Sequence, residues 1–211
     1  MSRWPLLWVF ALGLAGCSEE PATVADGSGS PAMAVDAEPA IDRATAAAAD
    51  FSGRLRTALQ ARMKSEGPVG AVDFCHAQAP RIADAVMAEH GVRLGRVAVP
   101  GRNRNPDNAP TDWQRQALTR FQSQVGAGAA AGELLFVQQE SLPPGVALRM
   151  MRGIAVEPTC LACHGRTISA PVAQVINDRY PDDAATGFDV GDLRGGLWVQ
   201  VPDSPDRESG P

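Results

Sequence analysis

The chain has few chemically reactive side chains and no excess of positive charge. It contains three His, four Cys and one Tyr among 211 residues, and its formal net charge is −5. Because surfaces that bind nucleic acids are basic, this charge balance gives no electrostatic basis for nucleic acid as a partner. No internal repeat is visible, so a repeat architecture has no support. The spacing of the few Cys and His residues is therefore the most informative feature.

A C-x-x-C-H motif is formed by Cys160, Cys163 and His164. This spacing is typical of covalent attachment of a c-type haem, whose two vinyl groups form thioethers with the two thiols. His164 directly follows the second cysteine, so its imidazole is predicted to be the proximal iron ligand. We expect its Nδ1 atom to donate to a backbone carbonyl. The motif therefore predicts one covalent haem c as cofactor.

Three other interpretations of the cysteine pair stay open. The pair is also compatible with a redox dithiol, although His164 would then have no role. A zinc site would need Cys75 as a third thiolate, and the chain has no second C-x-x-C pair to complete it. A structural disulfide is the third alternative.

The first 16 residues have the pattern of a secretory signal peptide, with one positive charge followed by a short apolar segment. The sequence Leu14-Ala15-Gly16-Cys17 resembles a bacterial lipobox, which makes Cys17 the candidate lipidation site and the membrane a partner. Ser18 rather than Asp follows Cys17, a pattern that in such lipoproteins favours the outer membrane. The predicted location is thus the periplasm, with a lipid anchor in the outer membrane.

The periodicity of apolar residues predicts one folded domain over 49–203. Residues 17–48 are rich in Ala, Pro, Gly and Ser and are predicted to be a flexible tether, and 204–211 a disordered tail. Breaks are predicted at Gly67 and near Pro80, with Gly91 as a helix cap. This order of elements predicts an α+β fold with an antiparallel sheet. The predicted helices cover 51–64, 69–90, a segment capped by Thr111 and a segment after Pro171; the predicted strands cover 92–99, 133–138, 146–156 and 196–201.

The chain has no Met after His164, which excludes the common cytochrome layout with a downstream Met ligand. The apolar face of the predicted helix over 69–90 includes Val72, Cys75 and Ile82. Cys75 is therefore a candidate for the distal iron ligand, although a small buried apolar residue is an alternative interpretation of it. His76 lies about 100° around the same helix and is the second candidate, and a Met ligand or an open iron site is the third.

Several further blocks of sequence resemble a known family. Together with the motif they are similar to the periplasmic c-type haem family with a PAS-like fold and His/Cys axial ligation, formerly a domain of unknown function. The resemblance implies a five-stranded antiparallel sheet flanked by helices, and a thiolate ligand that maps to Cys75. The blocks are Gly67 to Cys75, Ala79-Pro80, Arg96, Arg102 to Pro110 with Trp113, Cys160 to His164, Tyr180 to Gly187 and Gly191 to Gly195.

The ligand set implied by this resemblance suggests a function. A thiolate at Cys75 stabilises ferric iron, and its release on reduction would open a site for a small ligand such as NO or CO. The expected function is a redox or gas sensor; a periplasmic electron carrier with a redox partner protein is the alternative. Enzymatic activity is left open, since a small haem peroxidase or reductase would use His76 as its acid/base group. Arg102 and Arg104, in a polar loop, are candidate contacts for the haem propionates.

Overall fold

The computed structural model describes residues 37–203. The predicted signal peptide, Cys17 and the predicted tail over 204–211 lie outside this range. The helices are α1 (Ala37–Ala77), α2 (Ala79–His90), α3 (Asp112–Gly126), α4 (Leu161–His164) and α5 (Ala170–Arg179). The strands are β1 (Arg93–Ala98), β2 (Leu135–Gln138), β3 (Val146–Ala155) and β4 (Leu193–Pro202). The predicted α+β class, with helices flanking an antiparallel sheet, is confirmed.

The breaks predicted in the first helical region are present. Gly67 has φ 67° and ψ −171° inside α1, so the helix is kinked there, directly before Pro68. Helix α1 ends at Ala77 and α2 begins at Ala79, next to Pro80. Gly91 closes α2 with φ 60°, a left-handed conformation that glycine adopts without steric cost.

The predicted boundary at residue 49 is wrong. Helix α1 begins at Ala37, twelve residues earlier, so part of the predicted tether belongs to the domain. Its first three turns bury a stripe of small side chains against the core, made of Ala40, Ala44, Ala47 and Ala48. Alanine has the highest helix propensity and loses no side-chain entropy on burial, so a segment without large apolar residues can still dock. The remainder of the predicted tether, 17–36, lies outside the described residues.

The sheet has the strand order β1-β4-β3-β2, and every neighbouring pair is antiparallel. Within 37–203 it has four strands, not the five implied by the family resemblance. The predicted strand over 196–201 extends to Leu193–Pro202 and lies at the centre, between β1 and β3. Its Gly195 and Gly196 leave no room for a side chain, because an added Cβ would meet Val97 O at 2.0 Å or Met151 Sδ at 2.5 Å.

The two faces of the sheet bury different helices. Alternating residues of the strands point to one face, where Leu94, Met150 and Val199 pack under α1 and α2. The intervening residues point to the other face, where Val97 and Met151 pack under α3. Two smaller clusters beside the sheet contain α4 and α5. No helix within 37–203 is both long and apolar enough to span a membrane.

Candidate functional site

The C-x-x-C-H motif folds as a turn of 3₁₀ helix followed by one α-helical turn. Pro158–Cys160 form the 3₁₀ turn, and Leu161–His164 form α4. Gly165 ends the turn by donating its N–H to Leu161 O at 3.0 Å. A Cβ at Gly165 would lie 2.6 Å from that same oxygen, so this tight exit requires glycine. The helical turn gives the three motif side chains fixed and different directions.

The two motif thiols lie in different apolar clusters. Cys163 packs with Val72 of α1 and with Val172 and Ile176 of α5. Cys160 packs on the other side, against Val156, Ala185 and Phe188. All three described cysteines carry free thiols, so the structure gives no support to the disulfide interpretation.

His164 is held in a defined orientation. Its Nδ1 atom lies 2.7 Å from the backbone carbonyl of Ala185, which can only accept a hydrogen bond. Nδ1 is therefore the donor, as predicted, and Nε2 is left with its lone pair available to a ligand. Burial, with Arg104 and Arg194 nearby, lowers the pKa of His164 to about 3. The imidazole is thus a neutral base at physiological pH.

Cys75 lies in the last turn of α1 and faces the region that contains the motif. Its thiol is half-buried. It is also near enough to Cys163 for a charge on one to affect the other. Burial raises the pKa of the Cys75 thiol above its ordinary value. The guanidinium groups of Arg96 and Arg104 offset part of this rise. His76 is exposed, and its ring makes an edge contact with Tyr180 at 5.3 Å between centroids. The fold therefore brings Cys75, not His76, inward toward the motif.

Arg104 connects its loop to the motif. Its guanidinium donates to Asp183 through Nε at 3.0 Å and Nη2 at 3.1 Å, and Nη2 also donates to Cys163 O at 2.6 Å. Both members of this ion pair are nearly inaccessible, with 11% of the Arg104 side chain and 6% of Asp183 exposed. Asp183 also accepts the N–H of Ala185 at 2.9 Å. The pair thus holds the carbonyl that orients His164.

Arg102 is placed by the ring of Phe188. Its guanidinium carbon lies 3.5 Å from the ring centroid, and its Nη2 donates to Thr186 O. The ring of Phe188 in turn makes an edge contact with His164 at 6.4 Å. Arg102 and Arg104 both lie at the site but have partners within the protein, so their contact with haem propionates stays a prediction.

Two arginines of the site have no role in the sequence-based prediction. Arg96 is half-buried on β1, on the face that α1 covers, and it interacts electrostatically with the Cys75 thiol and the Tyr180 hydroxyl. Burial lowers its pKa. Arg194 on β4 donates to Arg102 O at 3.1 Å and lies 5.2 Å from the Phe188 ring. Burial and the neighbouring arginines lower the pKa of Arg194 to about 10.

A sequence signal for Arg96 exists. Leu94 and Ala98 are buried on either side of it at the strand period of two, so an arginine stands in an inward-facing position. A charged residue in such a position needs a partner. Asp183 and Tyr180 lie in a block that carries the family resemblance, but their contacts with Arg104 and His76 join distant segments and leave no local pattern.

The structure gives the zinc alternative no support. Among residues 37–203, no three His, Cys, Asp or Glu side chains are arranged to hold a metal ion. A structural zinc site normally has four such ligands in tetrahedral arrangement. Cys75 and the motif therefore do not form a preassembled zinc site.

The chain matches a known family over most of its length. The family model described as Tll0287-like matches residues 32–202. This chain belongs to the Tll0287-like family. The match begins before Ala37, consistent with the early start of α1 in this Tll0287-like chain. It confirms the family assignment predicted from the sequence blocks.

A solved structure also matches this Tll0287-like chain. The crystal structure of the cyanobacterial heme-protein Tll0287 shares 33% sequence identity with it. The alignment covers 62% of this chain and 72% of that chain, with a TM-score of 0.49. No curated protein matches the chain.

Proposed function

We propose that the chain is a haem protein with a single c-type haem, attached through Cys160 and Cys163. His164 would be one axial ligand and Cys75 the other. The family match and the relative described as a heme-protein support haem binding. When bound, the haem would supply one-electron redox chemistry and an iron site for small ligands.

The observation that carries this proposal is that the Cys75 thiol and the oriented imidazole of His164 both interact electrostatically with Arg104. Cys75 and His164 are 89 positions apart, yet the Cys75 thiol near the end of α1 interacts electrostatically with Cys163, which precedes His164. The Nδ1–H of His164 donates a hydrogen bond to the Ala185 carbonyl, which leaves Nε2 as the atom that can ligate iron. An unused thiol and an unused imidazole nitrogen at one half-buried site form a donor set that suits haem iron.

The charge of the site also fits haem. Arg96, Arg104 and Arg194 surround it, and Asp183 neutralises Arg104. Buried cations need anionic partners, because leaving a charge unpaired inside a protein is costly. Haem carries two propionates, so Arg96 and Arg194 join Arg102 and Arg104 as candidates to hold them.

The position of Cys75 supports a role in sensing rather than simple electron transfer. It precedes by two residues the end of α1 at Ala77, where the helix is interrupted before Pro80. A small rotation at this junction would move the thiol without unfolding the rest of α1. A cavity of about 250 Å³ is lined by His76, the residue that follows Cys75 in the chain, and by Arg104 and Tyr180 among others. This volume exceeds the ~30 Å³ that a water molecule occupies, so it would admit a diatomic ligand such as NO or CO.

The location of the protein is proposed from its sequence. The segment 1–16 would direct export, and Cys17 would carry a lipid that anchors the domain to the outer membrane on its periplasmic side. Labelling with a radioactive fatty acid should mark the wild-type chain and not the Cys17→Ser variant. Release of an unlabelled wild-type protein into the soluble fraction would contradict the anchor.

The ligand set is tested by spectroscopy of protein expressed with a haem-attachment system. Mass spectrometry should show the mass of one haem retained after denaturation. Absorption and electron paramagnetic resonance spectra should then show thiolate ligation in the ferric protein. Cys75→Ser should lose the thiolate signature, while the matched variant His76→Ala should keep it, because His76 faces solvent.

Each alternative function predicts a different result. If thiolate bands persist in Cys75→Ser, Cys75 is not the ligand. If reduced protein fails to bind CO or NO, an electron carrier is favoured over a sensor. Rapid peroxide turnover that His76→Ala abolishes would indicate an enzyme.

A further inference from the structure

A second, polar cavity lies on the opposite face of the sheet from Cys75. It has a volume of about 490 Å³ and lies between the start of α3, the end of β2 and the first half of β3. This volume falls within the ~300–1,000 Å³ typical of small-molecule sites. The lining is formed by Thr111, Asp112, Trp113, Gln116, Gln138, Ser141 and Arg149.

Arg149 is a cation without an anionic partner at this cavity. It projects from β3 on the α3 face, and its cross-strand neighbours are Gln138 and Gln200, both uncharged. Its guanidinium carbon lies 5.1 Å from the ring centroid of Trp113. Its Nε atom is buried and has no hydrogen-bond partner among residues 37–203. A buried N–H without a partner is costly, so such a group in a native site calls for an explanation.

The other groups around the cavity do not neutralise this charge. The carboxylate of Asp112 lines it but is paired with Arg115 on the same helix. The side-chain amide of Gln138 donates to the carbonyls of Glu140 at 3.1 Å and Ser141 at 3.4 Å. Ser141 has φ 54°, an uncommon conformation for a residue with a Cβ. The β2–β3 connection is thus held by Gln138 in a strained form that places Ser141 at the cavity.

We propose that this cavity binds a small polar organic molecule with one carboxylate, which Arg149 recognises. A carboxylate matches the planar fork of a guanidinium, and the ring of Trp113 fixes the guanidinium in place. The hydroxyl and amide groups of Thr111, Gln116 and Ser141 suit the polar remainder of a hydroxy acid or an amino acid. The site is independent of haem, because it lies on the α3 face whereas Cys75 and Arg96 lie on the face covered by α1.

The test is calorimetric titration of the full, haem-loaded chain with L-lactate and with L-glutamine. Lactamide, the uncharged analogue of lactate, is the matched ligand control. Arg149→Gln should weaken binding of both carboxylates by at least about tenfold, the scale expected for a lost charge-assisted hydrogen bond. Arg152→Gln, an exposed position on the opposite face of the same strand, is the matched protein control and should bind as the wild type does.

A second variant keeps the test valid if Arg149→Gln folds poorly. Gln116 is exposed and lines the cavity, so Gln116→Trp should fill it without disturbing the core, and should abolish binding with Arg149 intact. Binding retained in both variants, or lactamide binding as tightly as lactate, would overturn the proposal. So would the absence of measurable heat for both carboxylates with the wild-type chain. None of these outcomes depends on which residue ligates the iron.

Discussion

Arg104 and Asp183, 79 positions apart in the chain, form a buried ion pair with two hydrogen bonds. Neither residue belongs to the C-x-x-C-H motif, yet the pair holds the motif in place. The same arginine donates to the carbonyl of Cys163, and the same aspartate accepts the N–H of Ala185. The carbonyl of Ala185 in turn accepts a hydrogen bond from Nδ1 of His164. The orientation of the imidazole therefore depends on an ion pair that does not touch it.

Asp183→Asn should destabilise the protein by about 3 kcal/mol, because removing one charge from a buried pair leaves the other uncompensated. Chemical denaturation of the haem-free chain measures this change in the free energy of unfolding. The neighbouring Asp182 is exposed, and Asp182→Asn should change stability by less than about 0.5 kcal/mol. Equal effects of the two substitutions would show that the Arg104 pair contributes nothing specific.

Gly153→Ala should destabilise the chain by at least about 2 kcal/mol through overpacking. Gly153 lies on β3, and an added Cβ would meet the carbonyl oxygen of Ala131 at 2.1 Å. Gly53, in contrast, is an exposed position in α1 with no atom within 4 Å of an added Cβ. Gly53→Ala should therefore stabilise the protein by about 0.5–1 kcal/mol, the difference in helix propensity. Thermal unfolding of both variants checks the opposite signs.

Local chemistry made much of the fold predictable. Proline at 80 and glycine at 67 and 91 interrupt helices in the way their backbone preferences require, and alternation located the strands. The start of α1 was missed because Ala40 and Ala44 look like linker residues until the surface they pack against is known. The position of β4 between β1 and β3 depends on long-range pairing, which no local pattern encodes.

The site was predictable where its chemistry is contiguous. The spacing of Cys160, Cys163 and His164 is a local pattern from which haem attachment can be predicted. The position of Cys75 relative to this motif, in contrast, depends on how α1 packs against α4 and α5. Asp183 could not be recognised as the partner of Arg104, because many acidic residues are equally plausible in sequence. Arg96 could have been recognised, since it interrupts the inward face of a strand.

The Asp50 carboxyl should titrate below its usual range. Arg54 Nε lies 2.7 Å from one of its oxygens and His90 Nε2 lies 3.1 Å from the other, and these hydrogen bonds lower the pKa of Asp50. Its pKa is about 3.9 when unfolded, so the contribution of this cluster to stability is present above that pH. The contribution is lost as the pH falls through the lower, native value.

Carbon-detected NMR of the Asp50 carboxyl measures this titration. Arg54→Gln should raise the pKa of Asp50 toward the unfolded value, because the hydrogen bonds from the Arg54 guanidinium to this carboxylate are removed. Arg62→Gln is the matched control, since Arg62 pairs with Glu66 on the same helix and does not contact Asp50. A pKa that does not move in Arg54→Gln would contradict the assigned cause.

Arg96→Met should lower the reduction potential of the haem-loaded protein. Arg96 is a half-buried cation at the site, and a positive charge near iron favours the reduced state, which carries one positive charge less. A shift on the order of 60 mV corresponds to a tenfold change in the redox equilibrium. Arg93→Met, an exposed position on the same strand, should shift the potential much less because water screens its charge. Spectroelectrochemical titration measures the reduction potential of both variants. Equal shifts, or an upward shift in Arg96→Met, would show that Arg96 does not lie near the iron.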